Sequence, residues 1–543
     1  MTTRPALAAA TLLTCAAAAA ADPHDVLCLT DTRPVVVRLN FTVDGRPLTA
    51  AWGAFADALL AHLDANRSGT LDGPELVRLP QTLSLLAMRG GFSTPAAAPA
   101  MTRDALAEYL QAHDLGAFRV PPPAVLRMRG RRYVRADSTG LSESLDKALV
   151  TLLDADKDTR LSPAELAAAP AAFAKLDADE NELISSDEVL GRPGVYGYVV
   201  VDESEQVPGR LDLLRLGRKA DPLAARLLLD RYRPAGTDAA PRRLSRADLP
   251  LPEKTFAALD QDGDGELDAV ELARFGRACP PDVELAFHIG SVPAGARPAA
   301  VLAGGGQPVR AAVTGSGAAV AVELPGMRFD LAPGGAAAPD LRGAYLNRFR
   351  QFDRDANGYL DEAETPNGSD FRTHFPLLDA DGDGKVFEKE LVAVVEALQP
   401  LAGTAAAGLV TSDVTEASRG LFGLFDANGD GQLSVRELRG LAKRAEPFVT
   451  AKDGGLRPAD VPRRFLVTFA GSLAGPQLVR RGDDSLTANA PRAASGPTWF
   501  QRMDRNRDGD VSRREFLGSE AAFRRLDRDG DGLIDPREAD PAR

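Results

Sequence analysis

One bracket of apolar positions recurs along the chain. A phenylalanine is followed three residues later by a second apolar side chain, then by a polar run that holds a lone apolar residue. Phe173, Phe256, Phe349, Phe375, Phe422, Phe500 and Phe523 open seven of these brackets, and an apolar residue, from Leu63 to Leu526, stands just before every run. Positions three apart share a helix face, so the pattern predicts a helix that enters each run with its apolar stripe toward a core. The eighth position of the run is Leu71, Leu161, Ile184, Leu267, Leu360, Val386, Leu433, Val511 or Ile534, where a short two-stranded contact would join paired loops. Other stretches alternate. Val35, Val37, Leu39, Phe41 and Val43 do so, as do Val283, Leu285, Phe287 and Ile289, and Phe465, Val467 and Phe469, and these predict strands, as do residues 196–201. Residues 293–337 are rich in Gly, Ala, Val and Pro without a helical period and read as a small β insertion or a linker. Pro121-Pro122-Pro123 and residues 471–497 predict connections. The expected fold class is mainly α with short β segments, built from tandem loop pairs in an extended or curved array.

The polar runs carry the chemistry. A calcium ion takes about six to eight oxygen ligands, which a twelve-residue loop supplies from side chains at positions 1, 3, 5 and 9, a backbone carbonyl at 7 and a two-oxygen glutamate at 12, with glycine at 6 for a left-handed turn. Six runs fit at every slot. They are Asp64, Asn66, Ser68, Asp72 and Glu75 with the Thr70 carbonyl; Asp260, Asp262, Asp264, Asp268 and Glu271 with Glu266; and Asp353, Asp355, Asn357, Asp361 and Glu364 with Tyr359. The others are Asp426, Asn428, Asp430, Ser434 and Glu437 with Gln432; Asp504, Asn506, Asp508, Ser512 and Glu515 with Asp510; and Asp527, Asp529, Asp531, Asp535 and Glu538 with Leu533.

Three more runs carry one flaw each. Asp379, Asp381, Asp383 and Glu390, with the Lys385 carbonyl, have Phe387 at position 9. Asp154, Asp156, Asp158, Ser162 and Glu165, with Arg160, have Thr159 in place of the glycine, and Asp177, Asp179, Asn181, Ser185 and Glu188, with Leu183, have Glu182 there. A side chain with a Cβ in the left-handed region costs about 1 kcal/mol, so these last two loops are expected to bind more weakly.

One such acidic run could be a solvated turn. Nine copies, each with the distant glutamate and the apolar bracket, resemble the EF-hand family. That resemblance implies Ca²⁺ as the bound ion. Spacing refines it: twelve residues separate Glu165 from Asp177, Glu515 from Asp527 and Asp248 from Asp260, where residues 243–248 match positions 7 to 12 of a worn loop. A second worn loop would start at Val449, with Asp453, Gly454, Leu456 and Asp460 at positions 5, 6, 8 and 12. Such spacing leaves room for one shared helix of about eleven residues, or three turns, so the chain is more similar to secreted multi-EF-hand proteins of bacteria than to two-helix sensors. The expected units are 22–120 (a strand plus the first loop), 131–215, 221–292 with its first loop worn, 340–400, 415–475 with its second loop worn, and 497–543.

Composition narrows the function. The chain has 543 residues, 44% of them hydrophobic and 26% charged, enough for several soluble domains. A formal charge of −13 opposes nucleic acid as a partner and suits a cation binder. Residues 1–21 read as a signal peptide, with Arg4 before an apolar stretch and Ala19-Ala20-Ala21 as a cleavage site. Leu12-Leu13-Thr14-Cys15 offers a lipid-anchored alternative, a weaker one because Thr14 suits it poorly, and an Ala-rich helix kept in the mature chain is a third. No later segment offers the roughly 20 apolar residues of a transmembrane span. Cys28 lies in an apolar run and reads as an inert buried thiol; with Cys279 it is too sparse for a disulfide framework, and the five histidines are scattered. With no nucleophile elbow, P-loop or dinucleotide fingerprint, no enzyme is expected. The expectation is a secreted or periplasmic calcium-binding protein, ordered by the metal, offering an interaction surface to a protein of the cell envelope. The alternatives are a sensor that exposes an apolar groove, disfavoured by only six methionines, and a calcium-dependent hydrolase accessory protein.

Five acids stand among the ligands of the loops starting at Asp260 and Asp527, against strained turns in those starting at Asp154 and Asp177. The first two should fill at lower calcium than the last two. Calorimetric titration of full-length variants, each with one position-12 glutamate changed to Gln, checks the order.

Overall fold

The computed structural model describes residues 23–540 apart from 31, 88–91, 96–99, 121–124, 129–130, 136–140, 192–197, 202–212, 218, 234–242, 294, 305–308, 315–316, 325, 337, 366–369, 418–419, 450–453 and 472–495. The expected signal segment 1–21, the Pro121–Pro123 connection and most of the 471–497 connection lie outside the described residues.

The strands assemble from distant parts of the chain. One six-stranded sheet runs Ala299–Gly304, Val283–Ile289, Pro34–Val43, His24–Leu29 and Leu213–Arg215, with Arg46–Pro47 folded back on Pro34–Val43. A second runs Arg310–Val313, Val320–Leu324, Met327–Ala336, Arg463–Gly471, Val410–Glu416 and Phe118–Arg119. Each has a central parallel pair: Val37 faces Val283 in the first, Phe329 faces Phe465 in the second. The sheets meet through an aromatic cluster in which Phe41 and Phe469 have ring centroids 5.0 Å apart, Phe287 and Phe469 4.9 Å, and Phe41 and Phe118 5.1 Å.

Strand His24–Leu29 shows why its sequence does not alternate. Val26 and Cys28 point into the sandwich while Leu27 and Leu29 enter a second core with Leu228, Phe256 and Phe275, so both faces are buried and the last four residues of the strand are apolar without a break. Burial leaves Cys28 a free thiol with its pKa pushed up to about 12.

Helices Leu48–Leu63, Leu341–Phe352 and Glu388–Gly408 share the sandwich's core through Phe55, Leu59, Tyr345, Leu391, Val395 and Leu398. A Cβ on Gly408 would lie 2.9 Å from the Ala51 carbonyl oxygen, so glycine sets how closely the first and third of these helices pass. By length and composition Glu388–Gly408 could cross a membrane, which corrects the reading that no later segment could; here its apolar side is packed within the core.

The protein is therefore mixed, 41% helical and 22% strand with several multi-stranded sheets, and the expected mainly α class with short β segments in an extended or curved array is overturned. Residues 299–304, 310–313 and 320–336 hold four strands of the two large sheets. They form part of the central core, where sequence suggested a small insertion or linker.

The loops group around this core as two-stranded contacts between their eighth positions. Leu244 pairs with Leu267, Leu360 with Val386, and Val511 with Ile534, each between neighbouring loops. Two contacts cross the sequence: Leu433 pairs with Ile184, and Leu161 with Leu456. The segments expected as separate pairs at 131–215 and 415–475 thus exchange partners and build one four-loop unit around Leu149, Phe173, Phe422, Phe425 and Leu441. Leu71 pairs with Met101, for which sequence gave no partner loop. A buried join, in which Ser142 donates to Glu416 at 2.5 Å and Arg463 pairs with Glu416 at 3.0 Å, ties the four-loop unit to the second sheet.

Phe469 touches both sheets, so Phe469→Ala should destabilise the core by about 3–5 kcal/mol. Chemical denaturation followed by circular dichroism checks this.

Candidate metal centres

Each loop begins where a helix is finishing. The Asp260, Asp353, Asp426, Asp504 and Asp527 amides still donate to the carbonyl of the phenylalanine four residues before, at 2.9 Å in each case. All seven of these phenylalanines are buried, as are all nine apolar residues at position 8. The loop is thus held at both ends by side chains it does not offer to the metal.

Between the anchors the backbone wraps around position 1. In the loop starting at Asp64, Ser68 and Gly69 donate their amides to the two Asp64 oxygens at 2.9 and 2.8 Å. The position-6 amide makes the same bond in the other eight, from 2.8 Å for Gly431 to Asp426 up to 3.2 Å for Gly265 to Asp260 and Gly509 to Asp504. Position 12 closes the loop. Glu75 accepts from the Ala65 amide at 2.7 Å and the Asp72 amide at 3.1 Å, and the other eight glutamates repeat this bridge between the loop's start and position 9.

Where a helix leaves the loop, position 9 is its N-cap and position 12 its third residue, so the glutamate expected to bind the metal is also the capping-box acid. Ser162 with Glu165, Ser185 with Glu188, Asp268 with Glu271 and Ser434 with Glu437 show this. Phe387 cannot cap with its side chain, yet its amide still reaches Glu390 at 2.9 Å, so that flaw removes a ligand and leaves the turn intact.

Two positions per loop, not one, sit in the left-handed region. Position 6 does so in all nine, including Thr159 at φ 67° and Glu182 at φ 64°. So does position 4, where Gly263, Gly382, Gly429 and Gly530 stand in four loops while Arg67, Lys157, Glu180, Ala356 and Arg507 bear the strain in five. The glycine standing at position 4 in four of the nine loops was the available signal, and the sequence reading passed over it. Also missed was the Leu71 partner, marked only by Met101 followed by Thr102, whose hydroxyl caps helix Arg103–Ala112. The worn loops keep the scaffold with only part of the ligand set. Ser245 still donates to Asp248 at 2.9 Å, Arg457 to Asp460 at 2.9 Å, and the Arg243 guanidinium lies against Asp264.

These bonds converge oxygens. One oxygen from each of Asp260, Asp262 and Asp264 lies within 4.8 Å of the others, and the same holds for Asp154, Asp156 and Glu165, for Asp177, Asp179 and Glu188, for Asp353, Asp355 and Glu364, and for Asp379, Asp381 and Asp383. Crowded carboxylates repel unless a cation lies among them. Asp504 Oδ1 and Asp527 Oδ1 are buried and accept no hydrogen bond, the vacancy that a hard cation satisfies. An all-oxygen donor set of this kind fits calcium. Burial pushes the Asp504 and Asp426 carboxyls up to about 6 and that of Asp508 to about 8, with like charge from Glu515 reinforcing it at Asp504 and Asp508.

The family model of the EF hand matches this chain at residues 253–276, 419–442, 498–517 and 520–538. These segments contain the loops starting at Asp260, Asp426, Asp504 and Asp527, which supports an EF-hand family and implies calcium binding. No curated protein and no solved structure gave a match.

An aspartate raised from 3.8 to about 8 keeps its proton in the fold where the unfolded chain has lost it. The calcium-free protein holds that stabilisation in full below pH 3.8 and loses it as pH climbs through about 8. Its melting temperature should therefore fall across this window, and Asp508→Asn should flatten the slope. Calorimetry in chelator at stepped pH checks both.

Proposed function

We propose that this is a secreted or periplasmic protein that binds about nine calcium ions, one in each complete loop, and that the ions order the fold and an interaction surface for a protein of the cell envelope. The observation that carries this reading is the shared cradle. Nine loops of different sequence, three with one flaw each, all hold position 1 by the position-6 amide and position 12 by amides at the loop's start and at position 9. The family match covers four of them, and the other five repeat the same backbone bonds.

A structural role is favoured over a sensor. A sensor that opens on calcium needs an apolar groove to expose. Here the apolar faces of the loops form the cores themselves, and among the described residues the exposed large apolar side chains Val77, Leu223, Val270, Val292, Leu302 and Leu517 fall in six separate segments. Secretion is supported by the pattern of residues 1–21, and millimolar calcium outside the cell suits extracellular modules with dissociation constants of about 10⁻⁴–10⁻³ M.

Ions that bind the folded chain stabilise it by mass action. Native mass spectrometry in calcium should count about nine ions, and chelator should lower the melting temperature markedly. A melting curve that is the same with chelator and with calcium would sink the structural reading.

A further inference from the structure

The last two loops do not stand apart from the four-loop unit. Arg436, on helix Val435–Arg439 leaving the Asp426 loop, pairs with Asp510 at 2.6 Å and with Asp531 at 3.2 Å. Arg439 of the same helix donates to the Asp531 carbonyl. From the other side, Asn506 donates its side-chain amide to the Asn181 carbonyl at 2.9 Å, and Arg514 pairs with Glu182 at 3.6 Å. Glu182 is the residue that costs its own loop a glycine, so the strain there accompanies a contact with another loop.

These contacts cover one loop. Positions 3 and 5 are exposed in the loops starting at Asp260, Asp353 and Asp379, whereas Asp508, at position 5 of the Asp504 loop, is only 7% exposed. Asp510, Ser512 and Glu515 are buried beside it. Asp510 contributes only its carbonyl toward the metal, which leaves its carboxylate to Arg436.

We propose that docking of the C-terminal loop pair encloses the ion of the Asp504 loop, so that this ion leaves only when the pair lifts away from the four-loop unit. The inference rests on the reading that the loops hold calcium. Departure needs water at the Asp508 carboxylate, and admitting it breaks the ion pairs of Arg436 and Arg514. The enclosed ion in turn holds Asn506 and Asp510 in the positions that meet Asn181 and Arg436, so a filled Asp504 loop keeps the pair docked.

Release of calcium from the full-length protein into a fluorescent chelator, after mixing in a stopped-flow instrument, tests this, with bound ions counted beforehand by native mass spectrometry. One ion should leave more slowly than the rest by on the order of tenfold or more, as expected when a charge pair with a buried member must open. Glu515→Gln should remove that slow phase together with one ion. Arg436→Gln combined with Arg514→Gln should abolish the slow phase and leave the ion count unchanged, which also shows that the variant has folded. A slow phase that survives the double arginine variant, or release without a slow phase from a chain that holds its full complement, overturns the enclosure. A chain that holds no ions overturns the calcium reading itself, and the enclosure with it.

Discussion

A calcium loop of this kind carries a strand of only two or three residues, and a strand that short cannot satisfy its own backbone. Every loop must therefore find a partner strand, a second loop in most cases and the segment at Met101 for the loop starting at Asp64, and this need for a partner organises the periphery of the protein. It accounts for the worn loops. Residues 243–248 and 454–460 belong to loops that have lost most of the ligand set but keep the apolar residue at position 8 and the bond from position 9 to position 12, which is what their partners use. A worn loop is retained as a strut. The same need permits partners far apart in sequence, as Leu433 with Ile184 and Leu161 with Leu456 demonstrate.

The loops were readable residue by residue because their information is local. Ligand spacing, the apolar bracket and the glutamate at position 12 all fall within sixteen or so residues, about four turns of helix in reach. The architecture was less readable because its information is not local. Alternation revealed Pro34–Val43 and Val283–Ile289 as strands, but nothing in either segment says that they lie side by side and parallel. His24–Leu29 does not alternate because both its faces are buried, and Val320–Leu324 sits in a Gly- and Ala-rich stretch that reads as a small β insertion or a linker, not as part of a central sheet. The count of strands was therefore underestimated, and helix was overweighted.

Departures from the loop pattern divide by physical consequence. Phe387 removes an oxygen but preserves the turn, because the turn depends on the amide and not the side chain. Glu182 strains the turn but meets Arg514. For Thr159, whose hydroxyl bonds the neighbouring Asp158 carbonyl, the described residues show no comparable long-range contact. A template scored slot by slot treats the last two alike, although among the described residues only Glu182 is tied to another part of the molecule.

The two central parallel pairs also fix an order of events in time. Val37 cannot pair with Val283 until 246 further residues have followed it, and Phe41 and Phe287 cannot meet Phe469 until nearly the whole chain has been made. Contacts between such distant residues form slowly, and the apolar strands that await them are exposed in the meantime. A polypeptide delivered across a membrane from its N-terminus would present Val26, Val35 and Phe41 first and the strand Arg463–Gly471 last. It would need help to keep those early strands from one another, and a chaperone that binds unpaired apolar strands is the kind of helper this topology calls for.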